Sequence, residues 1–130
     1  MEDKYLIDTN VIIYYLDNRI PKQEIKKVEW IFKNSFNIST ITKIEVLGWH
    51  KIKENEKKKI AQFINNAKVF YLDSSIEEKS IEIKQKNKIA TPDTIIGATA
   101  ILNNYIVVSR NYRDFTKIEG VRNYNPFENV

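Results

Sequence analysis

Short apolar runs alternate along the chain with longer stretches whose apolar residues recur at helical spacing. Lys4-Tyr5-Leu6-Ile7-Asp8 is a brief apolar run ending in a carboxylate and reads as a buried strand. Thr9-Asn10 punctuates it, and residues 11–16 read as a short, mostly buried helix. Pro21 fits the first turn of a second helix, with Ile25, Val28, Ile31 and Phe32 inward and Lys22, Lys26, Lys27 and Lys33 outward. Residues 36–39 read as a second strand. Thr40 or Thr42 can cap the next helix, which continues through Val46, Leu47 and Trp49. If Thr42 is the cap, Glu45 takes the capping-box position. Residues 54–67 form another amphipathic pattern, with Ile60, Phe63 and Ile64 inward. Residues 69–72 read as a third strand, and residues 74–86 as a charged helix carrying Ile76, Ile81 and Ile83.

The block that follows is the most informative. Thr91 reads as an N-cap, Pro92 as the first helical residue and Asp93 as an acid in the first turn. Ile95, Ile96, Ala98, Ala100, Ile101 and Leu102 make this helix apolar nearly all round, so it is expected at the centre of the fold, with Gly97 and the alanines allowing close packing. Ile106-Val107-Val108 reads as a fourth strand and residues 121–124 as a fifth. Strands alternating with helices predict a mainly parallel central sheet covered on both faces, a three-layer α/β/α sandwich. Ligands in such folds bind beyond the carboxyl ends of the strands. Asp8 and Ser109 are expected there.

Composition narrows the classes. A chain of 130 residues with 42% hydrophobic and 29% charged residues fits one globular domain over residues 1–130 and argues against disorder. With 3 Gly and 3 Pro there is no low-complexity linker, and no internal repeat is visible. The absence of cysteine excludes disulfides, Cys-based zinc sites and thiol catalysis. No basic n-region followed by an apolar stretch follows Met1, and no apolar run approaches the ~20 residues that span a bilayer. The expectation is a soluble cytoplasmic protein with no membrane partner. The net charge of +4 suits a polyanionic partner and equally suits plain solubility.

Four acids then stand out. Asp8 ends a buried strand, where a carboxylate is costly unless paired, hydrogen-bonded or metal-bound. Its bland alternative is to cap the following helix through the Asn10 or Val11 amide. Glu45 taken alone reads as a solvated residue or a capping-box partner. Asp93 gains from the macrodipole in a first helical turn, and Asp114 could pair with an arginine or cap a turn. Each signal is weak singly. Together they place acids at the ends or starts of buried elements, where a parallel sheet can gather them at one edge. Such a cluster repels itself without cations, and its hard oxygen donors suit Mg²⁺ or Mn²⁺.

These residues carry a resemblance. Asp8-Thr9-Asn10 after an apolar strand, Thr42-Lys43-Ile44-Glu45-Val46, Pro92-Asp93-Thr94-Ile95-Ile96-Gly97-Ala98-Thr99-Ala100 and Val108-Ser109-Arg110-Asn111-Tyr112-Arg113-Asp114-Phe115 resemble, in order, the motifs of PIN-domain ribonucleases. The likeness is nearest to the VapC-type toxins of prokaryotic toxin–antitoxin pairs, and it covers nearly the whole chain. It implies a PIN-like fold, with Asp8, Glu45 and Asp93 as core acids of a metal site. Many PIN domains carry an acid where this chain has Asn111. The toxin branch often has Asn there and keeps the later Asp, here Asp114, which is therefore expected as the fourth acid, with Asn111 as a neutral ligand or supporting group. Asn10 and Ser109 are expected to orient carboxylates or water.

The resemblance implies an endoribonuclease dependent on Mg²⁺ or Mn²⁺ that leaves 5′-phosphate and 3′-hydroxyl ends. Asp8 and Asp93 would be direct ligands; Glu45 and Asp114 would be ligands or would position water. It also implies a homodimer and a cognate antitoxin, an arginine of which would neutralise the acids. Arg110 and Arg113 are candidate phosphate contacts for RNA. Lys51, Lys53 and Lys57 to Lys59 are a second candidate patch, read first as a solvated helix face. Tyr14 and Tyr15 could stack bases, although packing is expected of at least one. Trp30, Phe32 and Trp49 are expected in the core or an interface, and His50 at the surface. The alternative within the fold is a PIN-like module that binds RNA or a partner without cutting. A haloacid-dehalogenase-like phosphatase wants a second Asp where Asn10 stands. A receiver-like domain wants paired acids and a strand-end Lys that cannot be placed.

Overall fold

The computed structural model describes residues 2–127. Twelve elements follow in order: β1 (Tyr5–Ile7), α1 (Thr9–Leu16), α2 (Ile25–Asn34), β2 (Asn37–Ser39), α3 (Thr40–Leu47), α4 (Glu54–Ile64), β3 (Lys68–Phe70), α5 (Ser74–Lys86), α6 (Thr91–Asn103), β4 (Ile106–Val108), α7 (Tyr112–Thr116) and β5 (Arg122–Tyr124). The strands form one sheet in the order β3-β2-β1-β4-β5, and every pairing is parallel. The expected α/β/α sandwich is the architecture found.

Strand periodicity explains the two cores. Side chains alternate across a sheet. Tyr5, Ile7 and Val108 therefore face a core with Val11, Ile12, Val28, Ile31 and Phe32, built by α1 and α2 with Val46 of α3 and Ile64 of α4. Leu6 and Val107 face the other core, built by Ile76 and Ile83 of α5, Ile95, Ile96, Ala98 and Ala100 of α6, and Phe115 of α7. Strands of three residues suffice because both faces are covered. Between β1 and β2 side chains extend the ladder. The Asn37 amide donates to the Tyr5 carbonyl at 2.9 Å, and the Tyr5 N–H donates to Ser35 Oγ at 2.9 Å.

Helix α6 sits where its composition places it, with Thr94 to Ala100 buried throughout. A Cβ added to Gly97 would stand 2.8 Å from Ile118 Cδ1, so the glycine admits the segment after α7. Asn104, in the left-handed region at φ 57°, closes the helix.

Several boundaries differ from the sequence reading. Helix α2 begins at Ile25, because Pro21 to Glu24 forms a separate turn closed by Glu24 N–H to the Pro21 carbonyl at 2.9 Å. Ser39 caps α3, its hydroxyl accepting from the Ile41 N–H at 3.1 Å. Neither Thr40 nor Thr42 is the cap; Thr42 is fully buried inside the helix, and the capping-box reading of Glu45 falls with it. The same helix stops at Leu47, with Gly48 as C-cap, short of Trp49. Helix α4 ends at Ile64, and Asn65 and Asn66 turn the chain into β3. That strand runs Lys68–Phe70, and Tyr71 and Leu72 are exposed. Ala90, not Thr91, is the N-cap residue of α6, which puts Pro92 one position deeper. Trp30 and Trp49 are 42% and 39% exposed and belong to neither core, whereas Phe32 is buried. Ile81 and Leu102 also face outward.

Candidate active site

β1 connects to β2 on one side of the sheet, and the chain later crosses to β4 on the other. The crevice beyond the carboxyl ends of β1 and β4 is thus the topological switch point, where side chains from separate segments can converge. Asp8 enters it directly from β1, its N–H bonded to the Val108 carbonyl at 2.9 Å. Ser109 enters from β4, Asp93 from the first turn of α6, Asn111 and Asp114 from the start of α7, and Glu45 from α3.

Asp8 is buried and does two things. Its Oδ1 accepts from the Thr9 N–H at 2.8 Å and caps α1. Capping therefore runs through Thr9, not through the Asn10 or Val11 amides. Its Oδ2 accepts from Ser109 Oγ at 2.7 Å and from the Asn10 amide at 3.2 Å. Ser109 Oγ in turn accepts from the Asn111 N–H at 2.9 Å, and Asn10 Oδ1 accepts from the Arg110 N–H at 3.1 Å. Asn10 and Ser109 thereby fix the second carboxylate oxygen.

The other acids share this field. The Asn111 amide donates to Asp93 Oδ2 at 2.8 Å and to Asp114 Oδ2 at 3.1 Å, so one neutral side chain holds two carboxylates. Lys117 lies 3.4 Å from the other oxygen of Asp114. Glu45 is exposed and accepts from the Thr9 hydroxyl. Burial pushes the Asp8 carboxyl up to about 6, with the charges of Asp93 and Glu45 adding to it; the hydrogen bonds from Ser109 and Thr9 work the other way. Asp93 is raised by burial first, then by Asp114 and Glu45, against the Asn111 hydrogen bond.

This donor set is all oxygen and rich in carboxylate, the chemistry that suits a hard divalent ion. Asp8 and Asp93, raised by burial and by neighbouring acids, have no cationic side chain paired with them among the described residues, and an ion would supply that charge. Asp8 and Asp93 could hold one directly, with Glu45 and Asp114 at the flanks. As the side chains stand, no three Asp, Glu or His among the described residues are close enough together to enclose an ion. The Asn111 amide lies between two of them.

Of the other expected residues, Arg110 is exposed at the rim, with its guanidinium against Tyr14, while Arg113 points from α7 to solvent. Lys51, Lys53, Lys57, Lys58 and Lys59 are exposed, with Lys57 paired to Glu54 of its own helix, and His50 is exposed too. Tyr15 packs on Phe32 and Phe63 in the core. Two contacts escape the motif spacing. Thr9 tethers Glu45 across 36 positions, which only the fold brings together, whereas Lys117 lies one helical turn after Asp114 and is readable in hindsight.

The family model for the PIN domain matches residues 5–121. This chain belongs to the PIN-domain family. The PIN domain is 30% identical over 127 residues to "Ribonuclease VapC1" of Rickettsia felis, covering 89% of this chain and 91% of that one. Among solved structures, a toxin–antitoxin complex from Klebsiella pneumoniae contains a chain with TM-score 0.79 and 29% identity, covering 96% of this chain and 99% of its own. DNA-bound VapBC from Salmonella typhimurium matches with TM-score 0.80 at 24% identity, covering 96% and 99%, a likeness of fold. No helix among the described residues of this PIN domain is long and apolar enough to cross a membrane.

Proposed function

We propose that this PIN domain is an endoribonuclease dependent on Mg²⁺ or Mn²⁺, acting as the toxin of a toxin–antitoxin pair. The observation that carries the reading is electrostatic. Four carboxylates from four separate segments share one field at the switch point, and the buried one, Asp8, is pushed up to about 6. The likeness to proteins named ribonucleases supports RNA as substrate. The likeness to a chain in a toxin–antitoxin complex supports a cognate antitoxin as partner. A homodimer remains an expectation of the family.

In this reading Asp8 and Asp93 would hold the ion, and Glu45 and Asp114 would complete its surroundings or position water. When bound, a divalent cation supplies the Lewis acidity that activates water and stabilises the leaving oxygen. The chain's own part is to hold those oxygens in place. Ser109 and Asn10 restrain Asp8 Oδ2, Thr9 restrains Glu45, and Asn111 restrains Asp93 and Asp114. An arginine from an antitoxin would meet the same uncompensated carboxylates and block the site. A non-cutting PIN-like binding module is the second reading; it draws support from the acids' failure to converge on one point in the described residues.

Incubation of the purified protein with total RNA tests the proposal. The expected result is cleavage with Mn²⁺ and none with EDTA, leaving 5′-phosphate and 3′-hydroxyl ends. Metal-independent cleavage, or 2′,3′-cyclic phosphate ends, would contradict it.

A further inference from the structure

One cation at the rim of the acidic site is held differently from the lysines that pair with carboxylates, and it sits on two rings where Lys27 and Lys68 each sit on one. Lys57, Lys79 and Lys86 pair with carboxylates on their own helices. Arg110, directly after Ser109, is instead seated on aromatic rings. Its guanidinium donates to the Tyr14 hydroxyl and lies 5.2 Å from the centre of the Tyr14 ring and 5.5 Å from that of Phe127. The two rings are 5.1 Å apart and tilted against each other. A second guanidinium, that of Arg19, lies 5.3 Å from the same Tyr14 ring, with only a loose, exposed pairing to Asp17 at 3.8 Å. The Arg110 main chain is pinned as well, because its N–H donates to the Asn10 side chain that also holds Asp8.

The chemistry of this arrangement is specific. A free arginine loses much side-chain freedom when it grips a ligand, and one seated on aromatic faces has lost part of it already. Guanidinium carries five N–H donors in a planar fork, of which the Tyr14 hydroxyl takes one, leaving others for phosphate oxygens. Half-buried aromatic rings beside a cation seated on them are a pattern that receives single-stranded nucleic acid. The position is also apt. Asn111, the next residue, touches Asp93 and Asp114, so the main chain at Arg110 adjoins the acids.

We propose that Arg110, seated on Tyr14 and Phe127 and joined by Arg19, anchors a phosphate of single-stranded RNA flanking the bond that is cut. The inference rests on the RNA-cleaving reading of the neighbouring acids. Arg110 is a substrate-positioning residue in it, and Tyr14 acts through Arg110.

The test measures binding of a short fluorescein-labelled single-stranded RNA of mixed sequence to the full-length Asp93→Asn protein over a series of salt concentrations, with and without Arg110→Ala. Loss of one phosphate contact should weaken binding about tenfold and make the slope of log affinity against log salt shallower by about 0.7. Arg110→Lys keeps the charge without the planar fork, so it should keep the slope and lose part of the affinity. In the otherwise wild-type enzyme, Arg110→Ala should raise KM for RNA with kcat little changed. Arg110 is exposed, so the variants should melt with their parents. Unchanged affinity and slope for Arg110→Ala would overturn the anchor while RNA cleavage by the wild-type protein left the nuclease reading standing. Absence of RNA binding by the Asp93→Asn parent, with no cleavage by wild type, would overturn both.

Discussion

Asp8→Asn should stabilise the metal-free protein at neutral pH, although it alters a buried residue that caps a helix. Asp8 is 4% exposed, and burial together with Asp93 and Glu45 lifts its carboxyl from the ordinary 3.8 to about 6. A pKa raised in the folded state means that the native protein holds the proton more tightly than the unfolded chain. Stability therefore falls as pH rises from about 4 to about 6, and the loss is complete above that window. At roughly 1.4 kcal/mol per pH unit the penalty is about 3 kcal/mol at neutral pH. Asparagine removes the charge and keeps an oxygen for the Thr9 N–H. It gives up an acceptor for the Ser109 hydroxyl and the Asn10 amide, a loss of about 1 kcal/mol for each. The net gain of about 1 kcal/mol corresponds to a Tm higher by roughly 3–5 °C. Thermal melts in EDTA from about pH 4 to about pH 8 read this directly, the variant's advantage vanishing at the acid end. A variant that melts below wild type at neutral pH, with parallel curves at every pH, would refute the idea that Asp8 is held charged against a desolvation cost.

Asn111→Asp should remove the donor shared by Asp93 and Asp114 and add a negative charge between them, costing about 1–3 kcal/mol in EDTA while tightening Mn²⁺ binding in a calorimetric titration. Unchanged Mn²⁺ affinity would place Asn111 outside the metal site. Gly97→Ala should destabilise by about 1 kcal/mol despite alanine's higher helix propensity, because its Cβ meets the buried Ile118 at 2.8 Å; a denaturant midpoint equal to or above wild type would show that Ile118 can move aside. Lys117→Ala should change stability by less than about 0.5 kcal/mol, since its pair with Asp114 is exposed, and a larger loss in the same titration would give Lys117 a structural role.

The strands and the central helix were legible because their composition leaves little choice. Leu6, Val107 and the 94–100 stretch are buried, the stretch being apolar but for Thr94 and Thr99. Boundaries were less so, because end residues compete for the same role. Ser39, Thr40 and Thr42 can all cap a helix, and only the fold reveals that Thr42 is buried beneath Thr9. Tyr71 and Leu72 look like strand residues, but β3 is an edge strand with one neighbour, so nothing holds them in the ladder. The acids stand out through motif order, and the sheet carries their segments to one edge without bringing three of them close enough to enclose an ion among the described residues. How they are held was hidden, since Thr9 to Glu45 and Asn111 to Asp93 are contacts between distant segments. The two exposed tryptophans show the limit of composition alone. They are expected in the core or an interface, and the structure excludes the core: Trp30 lies on the outer face of α2 and Trp49 follows the end of α3.

The carboxylates at the switch point are proposed to hold a divalent ion with which the protein cuts RNA. The most direct measurement compares wild type with Asp93→Asn, each assayed for cleavage of total RNA in Mn²⁺ and for Mn²⁺ binding by calorimetry. Wild type should cleave only with the metal, the variant should not cleave, and the variant should bind Mn²⁺ more weakly. Cleavage by Asp93→Asn at the wild-type rate would contradict the proposal.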